Sequence, residues 1–341
     1  MSNAMKITIS ENMVTLSQIF DRIMKSLRLA SDGERSEIIA SIKSLLSCDV
    51  VGSADEFHNT ATHLAINNNL DLAVLLLQKG IEKYPHNIDL YADLLNFLTD
   101  LGDYHNAELA QEMLFVQFPN YDTWNWRAYT YVLNYLIEFK PDNYFDSCND
   151  IIKEFRCFLP YDERSYMAEY NLLRAINKNT EAIEILETAI KNLVVAPQCA
   201  LKLSDEYLDR GEYEKTIAAC NKAAYCSAES QPSVKVSYIF YNRALAKDAI
   251  VNQSLASDGQ VTIEDVISAI KDYSLSIQLK LNPTTASNAK DRIRILKTLF
   301  DVDYEEKYID APVKDISIED IDLDKMMREI DEKIKELEAE E

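Results

Sequence analysis

The sequence predicts an all-α protein built from stacked helical hairpins, and three observations support that fold class. Ala73 and Pro85 recur as Ala107 and Pro119, a period of 34 residues that is typical of stacked pairs of helices. Only six glycines occur in 341 residues, well under the usual ~7%, which disfavours folds rich in loops or strands. The 47% hydrophobic content is enough for a continuous core.

A second stretch shows the same period further along the chain. Small residues recur there at matching positions, which lets two helix backbones approach closely. The matched residues are Asn177, Ala182, Leu186 and Ala189, followed 34 positions later by Gly211, Thr216, Cys220 and Ala223.

The first 50 residues come before the repeats. Met1–Ala4 has the look of an expression-tag remnant, with Met5 as the native start. Residues 5–50 are expected to form an N-terminal helical hairpin, over Thr15 to Leu46, that caps the array. Its apolar residues follow helical spacing: Leu16, Ile19, Phe20, Ile23, Met24 and Leu27, then Ile38, Ile39, Ile42, Leu45 and Leu46.

Two turns connect the periodic helices, Leu101-Gly102-Asp103-Tyr104 and Arg210-Gly211-Glu212-Tyr213. Together with Ala107, Leu114 and Pro119, which fall near the small, bulky and terminating sites, they resemble the tetratricopeptide repeat. Proline cannot continue a helix, so it defines where the next hairpin begins. The resemblance implies a right-handed superhelical solenoid that works by binding other proteins.

Residues 54–300 are expected to hold five to six such repeats and a cap helix, Ala286–Phe300. The sixth repeat resembles the family through Tyr241–Ala244 and Asn282-Pro283, with about a dozen extra residues at Asn252–Asp265. The expected repeats are Asp55–Pro85, Asn87–Pro119, Tyr121–Pro160, Asp162–Val195, Pro197–Ser227 and Val236–Pro283.

Residues 301–341 form an acidic tail, with 17 acidic and 6 basic residues in a chain of net charge −22. An amphipathic helix is predicted from about Glu319 to Leu337. We expect it to fold back on its own scaffold; self-association and docking to a basic partner are the alternatives. Its apolar face comprises Leu323, Met327, Ile330, Ile334 and Leu337.

Charge and composition argue against several classes of protein. Strong acidity disfavours nucleic-acid binding, and a DNA-reading helix after Ser31 would offer only Arg35 and Lys43 beside Glu34 and Glu37. No run approaches the ~20 apolar residues of a membrane span, and no secretion signal is visible. The six cysteines lack metal or disulfide spacing, so we expect reduced core cysteines in a cytoplasmic protein.

Catalytic and metal-binding motifs are not found in the sequence. No nucleotide-binding glycine loop, H-E-x-x-H or nucleophile elbow occurs, and His58 and His63 are five residues apart, which is wrong for a helical metal pair. We therefore expect a non-enzyme without cofactor or metal. The carboxylate clamp of chaperone-binding relatives is not matched either, because Asp93 stands where the clamp uses an amide.

The family resemblance implies that the first helix of each hairpin lines a concave groove that binds a protein or peptide. Amide groups there can satisfy a peptide backbone, aromatic rings give contact area, and basic groups can pair with a carboxylate. The implied groove residues are Asn96, Trp126, Tyr129, Arg164, Asn171, Arg174 and Lys202.

The aromatic run from Trp124 to Tyr131 allows two interpretations. Trp124 and Tyr131 fall on packing positions, whereas Trp126 and Tyr129 fall on groove positions and could anchor a ligand. Because aromatic residues at helical spacing usually belong to a core, ordinary packing of all four is the alternative.

Two functional hypotheses follow from the predicted groove. The first is a scaffold or adaptor that binds a protein segment in its groove. The alternative is a peptide-sensing regulator, whose superhelix changes conformation when a short peptide binds. A hydrolase or transferase with an unrecognised site is a third hypothesis, which no motif supports.

Overall fold

The computed structural model describes residues 14–16, 40, 50–229, 236–257 and 259–302. Within these ranges, thirteen α-helices are described over their whole length. The chain divides into two compact units, Met1–Ile185 and Leu186–Glu341. None of the described helices combines the length and the apolar composition that a bilayer crossing requires.

The described part of the first unit contains three helical hairpins and one further helix. The first helix of each hairpin packs against the first helix of the next, so that α1, α3, α5 and α7 form one continuous layer. Their bounds are α1 (Ala54–Ile66), α2 (Leu70–Lys83), α3 (Ile88–Asp100), α4 (Tyr104–Gln117), α5 (Trp126–Phe139), α6 (Tyr144–Phe158) and α7 (Arg164–Ala175).

The second unit contains two hairpins and a closing helix, each helix packed against the next. Helix α8 (Asn179–Asn192) crosses the boundary between the units. Helix α11 continues to Ala256, so part of the extra segment predicted at Asn252–Asp265 lengthens that helix. The remaining bounds are α9 (Pro197–Asp209), α10 (Tyr213–Glu229), α11 (Val236–Ala256), α12 (Ile263–Gln278) and α13 (Pro283–Phe300).

The turns inside the hairpins explain which repeats are visible in the sequence. Gly102 and Gly211 adopt φ of 69° and 72°, a left-handed conformation that glycine reaches without steric cost. Asn68 and Asn177 stand 34 residues before them with φ of 59° and 63°. Asparagine tolerates this conformation, so the first hairpin has the same turn without the glycine that would reveal it.

The small residues of the 34-residue period lie where helices meet. Ala73, Ala107 and Ala182 are fully buried, as the repeat register predicts. Gly80 on α2 is equally close-packed, because a Cβ built on it would lie 3.1 Å from the side chain of Phe57 on α1. The core of the first unit is thus held together by close helix approach as well as by large side chains.

The two ends of the chain fall largely outside the described residues. Thr15, the predicted first residue of the N-terminal hairpin, lies instead in a two-residue strand, β1 (Val14–Thr15), which pairs in parallel with β2 (Val50–Val51). Leu16 is helical and buried. The rest of the predicted hairpin, apart from Ala40, and the amphipathic helix Glu319–Leu337 lie outside the described residues.

Candidate functional site

Helix α5 is oriented by its own N-cap residue, Asn125. The Asn125 Oδ1 atom accepts hydrogen bonds from the backbone N–H groups of Arg127 and Ala128, at 3.0 and 3.1 Å. Its Nδ2 atom donates to Asp89 Oδ1 on α3 at 2.8 Å, and Arg127 Nη1 lies 2.9 Å from the same oxygen. Capping and the ion pair together fix the start of α5 against the neighbouring first helix.

Four side chains form what we call the Trp126 cluster: Trp126, Arg127 and Tyr131 of α5, and Arg164 of α7. The Cζ atom of Arg164 lies 3.9 Å from the centroid of the partly exposed Trp126 ring, and that of Arg127 lies 4.9 Å away. Tyr131 contacts the same ring edge-on, at 6.3 Å between centroids. Cation–π contacts of this kind hold the ring in one orientation.

Acidic groups surround the Trp126 cluster. Arg164 Nη1 lies 2.7 Å from Asp162 Oδ2, so each arginine has an aspartate partner. Each guanidinium uses one N–H in its pair and has five in all. The pKa of Tyr131 is raised, first by burial and then by the charges of Asp93 and other neighbours.

His58 of α1 and Asp93 of α3 form an ion pair through His58 Nδ1 and Asp93 Oδ2. The hydrogen bond to Asp93 raises the pKa of His58, although burial acts against it. Burial raises the pKa of Asp93 in turn. Asp93, which differs from the amide of the carboxylate clamp, is thus buried in an ion pair with the partly exposed His58.

Tyr129 is a core residue, and its predicted place in the groove is wrong. Its side chain is fully buried, its ring stacks on Phe155 at 4.6 Å between centroids, and its hydroxyl donates to the carbonyl of Tyr121 at 2.7 Å. Trp124 is buried beside it, as expected. Trp126, by contrast, stays partly exposed; its ring contacts Tyr131, and both side chains pack against the margin of the core.

The error has a local cause between the second and third hairpins. A 3-10 turn, Tyr121–Thr123, precedes α5, so α5 follows α3 by more than one 34-residue period. Tyr91 and Tyr129, 38 residues apart, occupy equivalent positions. The ring of Tyr91 packs on Phe118, at the end of α4, and the ring of Tyr129 packs on Phe155, near the end of α6. The equivalents of Asp89 and Asp93 on α5 are therefore Arg127 and Tyr131, which sequence reasoning missed.

The other predicted groove residues occupy separate places. Asn96 on α3 is partly buried, with its Nδ2 atom 3.4 Å from Asp100 Oδ2. Asn171 and Arg174 are exposed on α7, and Lys202 is partly buried on α9 in the second unit. Of the predicted set, Trp126 and Arg164 are in contact with each other; a ligand-binding role for the remaining residues stays a prediction.

Most cysteines of the described ranges are buried, and the candidate metal ligands there do not cluster. No group of three or more His, Cys, Asp or Glu side chains that could hold a metal ion occurs there. Five cysteines of this region are free, and only Cys157 of them is exposed. Burial raises the pKa of Cys148 to about 12 and that of Cys220 to about 11, which makes both thiols unreactive.

Comparisons with known proteins concern the fold. No protein-family model and no curated protein matches the sequence. A tetratricopeptide repeat protein from Parabacteroides merdae is 14% identical over 82% of this chain and 99% of its own, with a TM-score of 0.44. Yeast Tom70 is 13% identical over 84% and 60%, with a TM-score of 0.49. PilF of Pseudomonas aeruginosa is 15% identical over 70% and 96%, with a TM-score of 0.43.

The hairpins of the chain itself carry the architecture that the sequence predicts. Paired helices of 12 to 21 residues, left-handed turns at Gly102 and Gly211 and buried alanines at the helix crossings give the described part of the chain a tetratricopeptide-like helical repeat fold.

Proposed function

We propose that this tetratricopeptide-like chain is a non-catalytic, cytoplasmic scaffold that binds a protein or peptide segment at the Trp126 cluster. The observation that carries the proposal is the partly exposed Trp126 ring on the layer of first helices, in contact with the guanidinium groups of Arg127 and Arg164. Tryptophan and arginine dominate the energetics of protein interfaces when they are held rigidly. An oriented ring loses little entropy on binding.

The surrounding groups suit a peptide more than a nucleic acid or a metal. The two arginines offer N–H donors to carbonyl or carboxylate oxygens, while Asp89 and Asp162 keep the cluster from becoming a strongly positive patch. The net charge of −22 opposes nucleic-acid phosphates. Four buried, free cysteines fit a reducing compartment.

A phage-displayed library of random peptides tests the proposal, with the wild-type protein as bait. Peptides selected on it should bind Trp126→Ala about 30-fold more weakly, which corresponds to ~2 kcal/mol for a hot-spot residue. The thermal midpoint should change little, because the ring is partly exposed.

Met113→Ala is the matched control, since Met113 is a partly exposed apolar side chain on α4, a second helix of the same unit. It should leave peptide affinity unchanged. Equal binding to wild type and Trp126→Ala, or a large loss of stability in Trp126→Ala, would show that the ring only packs.

A further inference from the structure

Helix α13 presents an outer face that nothing in the described part of the chain covers. Its inner face is buried, through Ala289, Ile293 and Leu296. On the opposite side, Ile295 is 37% and Leu299 64% exposed. These two residues are four apart, so they lie one above the other on the helix surface. Large apolar side chains side by side at the surface are typical of a docking site.

The same helix is basic. It carries four basic side chains, Lys290, Arg292, Arg294 and Lys297, against one acidic one, Asp291. Arg292 is paired with Asp248, whereas Lys290 and Arg294, four residues apart on one side of the helix, are exposed, and Arg294 directly precedes Ile295 in the chain. Arg294 Nη2 lies 3.1 Å from Asp291 Oδ1, but a pair this exposed holds its partners weakly.

Another exposed apolar stripe, Leu109, Met113 and Val116 on α4, has the opposite charge character. Helix α4 has no lysine or arginine and includes Glu108 and Glu112. An acidic occupant is therefore attracted to α13 and repelled from α4.

The segment after α13 is complementary to the outer face of that helix: it has the opposite charge, an apolar side of its own and a similar length. Residues 319–341 contain eleven acidic and four basic side chains, with the apolar heptad of the predicted helix among them. About 16 residues separate Val302 from Glu319 and can span roughly 50 Å. The predicted helix Glu319–Leu337 would be about 28 Å long and α13 about 27 Å, so the segment can turn back and cover the whole face.

We propose that the acidic segment 319–341 docks on the outer face of α13 within the same chain. Its apolar side covers Ile295 and Leu299, and its carboxylates meet Lys290 and Arg294. Intramolecular docking is favoured over a second copy because the short linker keeps the segment at a high local concentration. The docked helix makes this face an internal contact of the chain rather than a free surface.

Hydrogen exchange measured by mass spectrometry on the full chain tests the docking. Fragments from 319–337 should exchange at least about tenfold more slowly than the same residues in a synthetic peptide 313–341. Leu299→Asp and Arg294→Glu should each abolish most of that protection. Both side chains are exposed, so neither change should unfold α13, and thermal melting checks that it does not.

Met113→Asp on α4 is the matched control and should leave the exchange of residues 319–337 unchanged. Protection should also be constant over a roughly hundredfold range of protein concentration. Three outcomes would overturn the proposal: exchange as fast as in the peptide, protection that survives both α13 substitutions, or protection that grows with concentration, which would place the segment on a second copy.

Discussion

His58 and Asp93 join α1 to α3, and the pair makes the stability of the first unit depend on pH. The hydrogen bond to Asp93 holds the pKa of His58 above its ordinary value of 6.5. The stabilising contribution is therefore fully present below pH 6.5 and is lost as the pH rises through the raised pKa of the folded chain. Burial raises the pKa of Asp93, whereas the contact with His58 acts to lower it, and the ion pair requires Asp93 in its carboxylate form.

We accordingly expect the free energy of unfolding, measured by urea denaturation at a series of pH values, to fall as the pH rises above 6.5. His58→Gln should flatten that decline. His105→Gln, which alters an exposed histidine of the same unit, should leave it unchanged. A wild-type stability that rises across this range would contradict the assigned ion pair.

At the scale of helices, the alanines at the crossings decide how closely neighbours approach. Ala107 and Ala182 are fully buried, and a leucine at either place must displace well-packed atoms. Ala107→Leu and Ala182→Leu should each lower the free energy of unfolding by about 1–3 kcal/mol. Leu109→Ala on the exposed side of α4 serves as the control and should cost under about 0.5 kcal/mol.

Helix α13 is tied to the rest of the second unit by one buried carboxylate. Asp248 on α11 accepts two hydrogen bonds of 2.7 Å from Arg292 on α13 and one of 3.0 Å from the hydroxyl of Tyr273 on α12. Asp248→Ala leaves Arg292 and Tyr273 without this partner. We therefore expect the free energy of unfolding, measured by thermal or urea denaturation, to fall by about 3 kcal/mol.

Asp291→Ala provides the comparison, because Asp291 lies on the same helix in an exposed ion pair. This substitution should leave the free energy of unfolding almost unchanged. Similar costs for the two substitutions would mean that the buried network contributes no more than a surface pair.

For the whole molecule, the two compact units raise the question of whether ligand binding changes the dimensions of the chain. A scaffold should keep the same radius of gyration with and without a peptide selected on the Trp126 cluster, as measured by small-angle scattering. A reproducible change on saturation would favour the peptide-sensing regulator instead. The same scattering measurement on Trp126→Ala with this peptide distinguishes specific binding from a general effect of added peptide.

The class of the fold and the places where its helices turn could be predicted from the residues alone. A 34-residue period, buried alanines and the glycines at 102 and 211 are local requirements of close helix packing and of left-handed turns, so they leave a visible pattern in the chain. The turn of the first hairpin has no glycine that would identify it in the sequence, because Asn68 adopts the left-handed conformation there.

Which side chains face a ligand depends on how the helices pack, and the residues alone did not reveal it. With the turn Tyr121–Thr123 before it, α5 begins at Trp126, 38 residues after the start of α3 at Ile88, so a fixed 34-residue register assigns the wrong residues of α5 to the groove. Tyr129 enters the core, and Arg127 and Tyr131 take the positions beside Trp126. Asp89, the partner of Arg127 and 38 residues from it in the sequence, comes into reach only when neighbouring first helices pack side by side, a relation that no local pattern records.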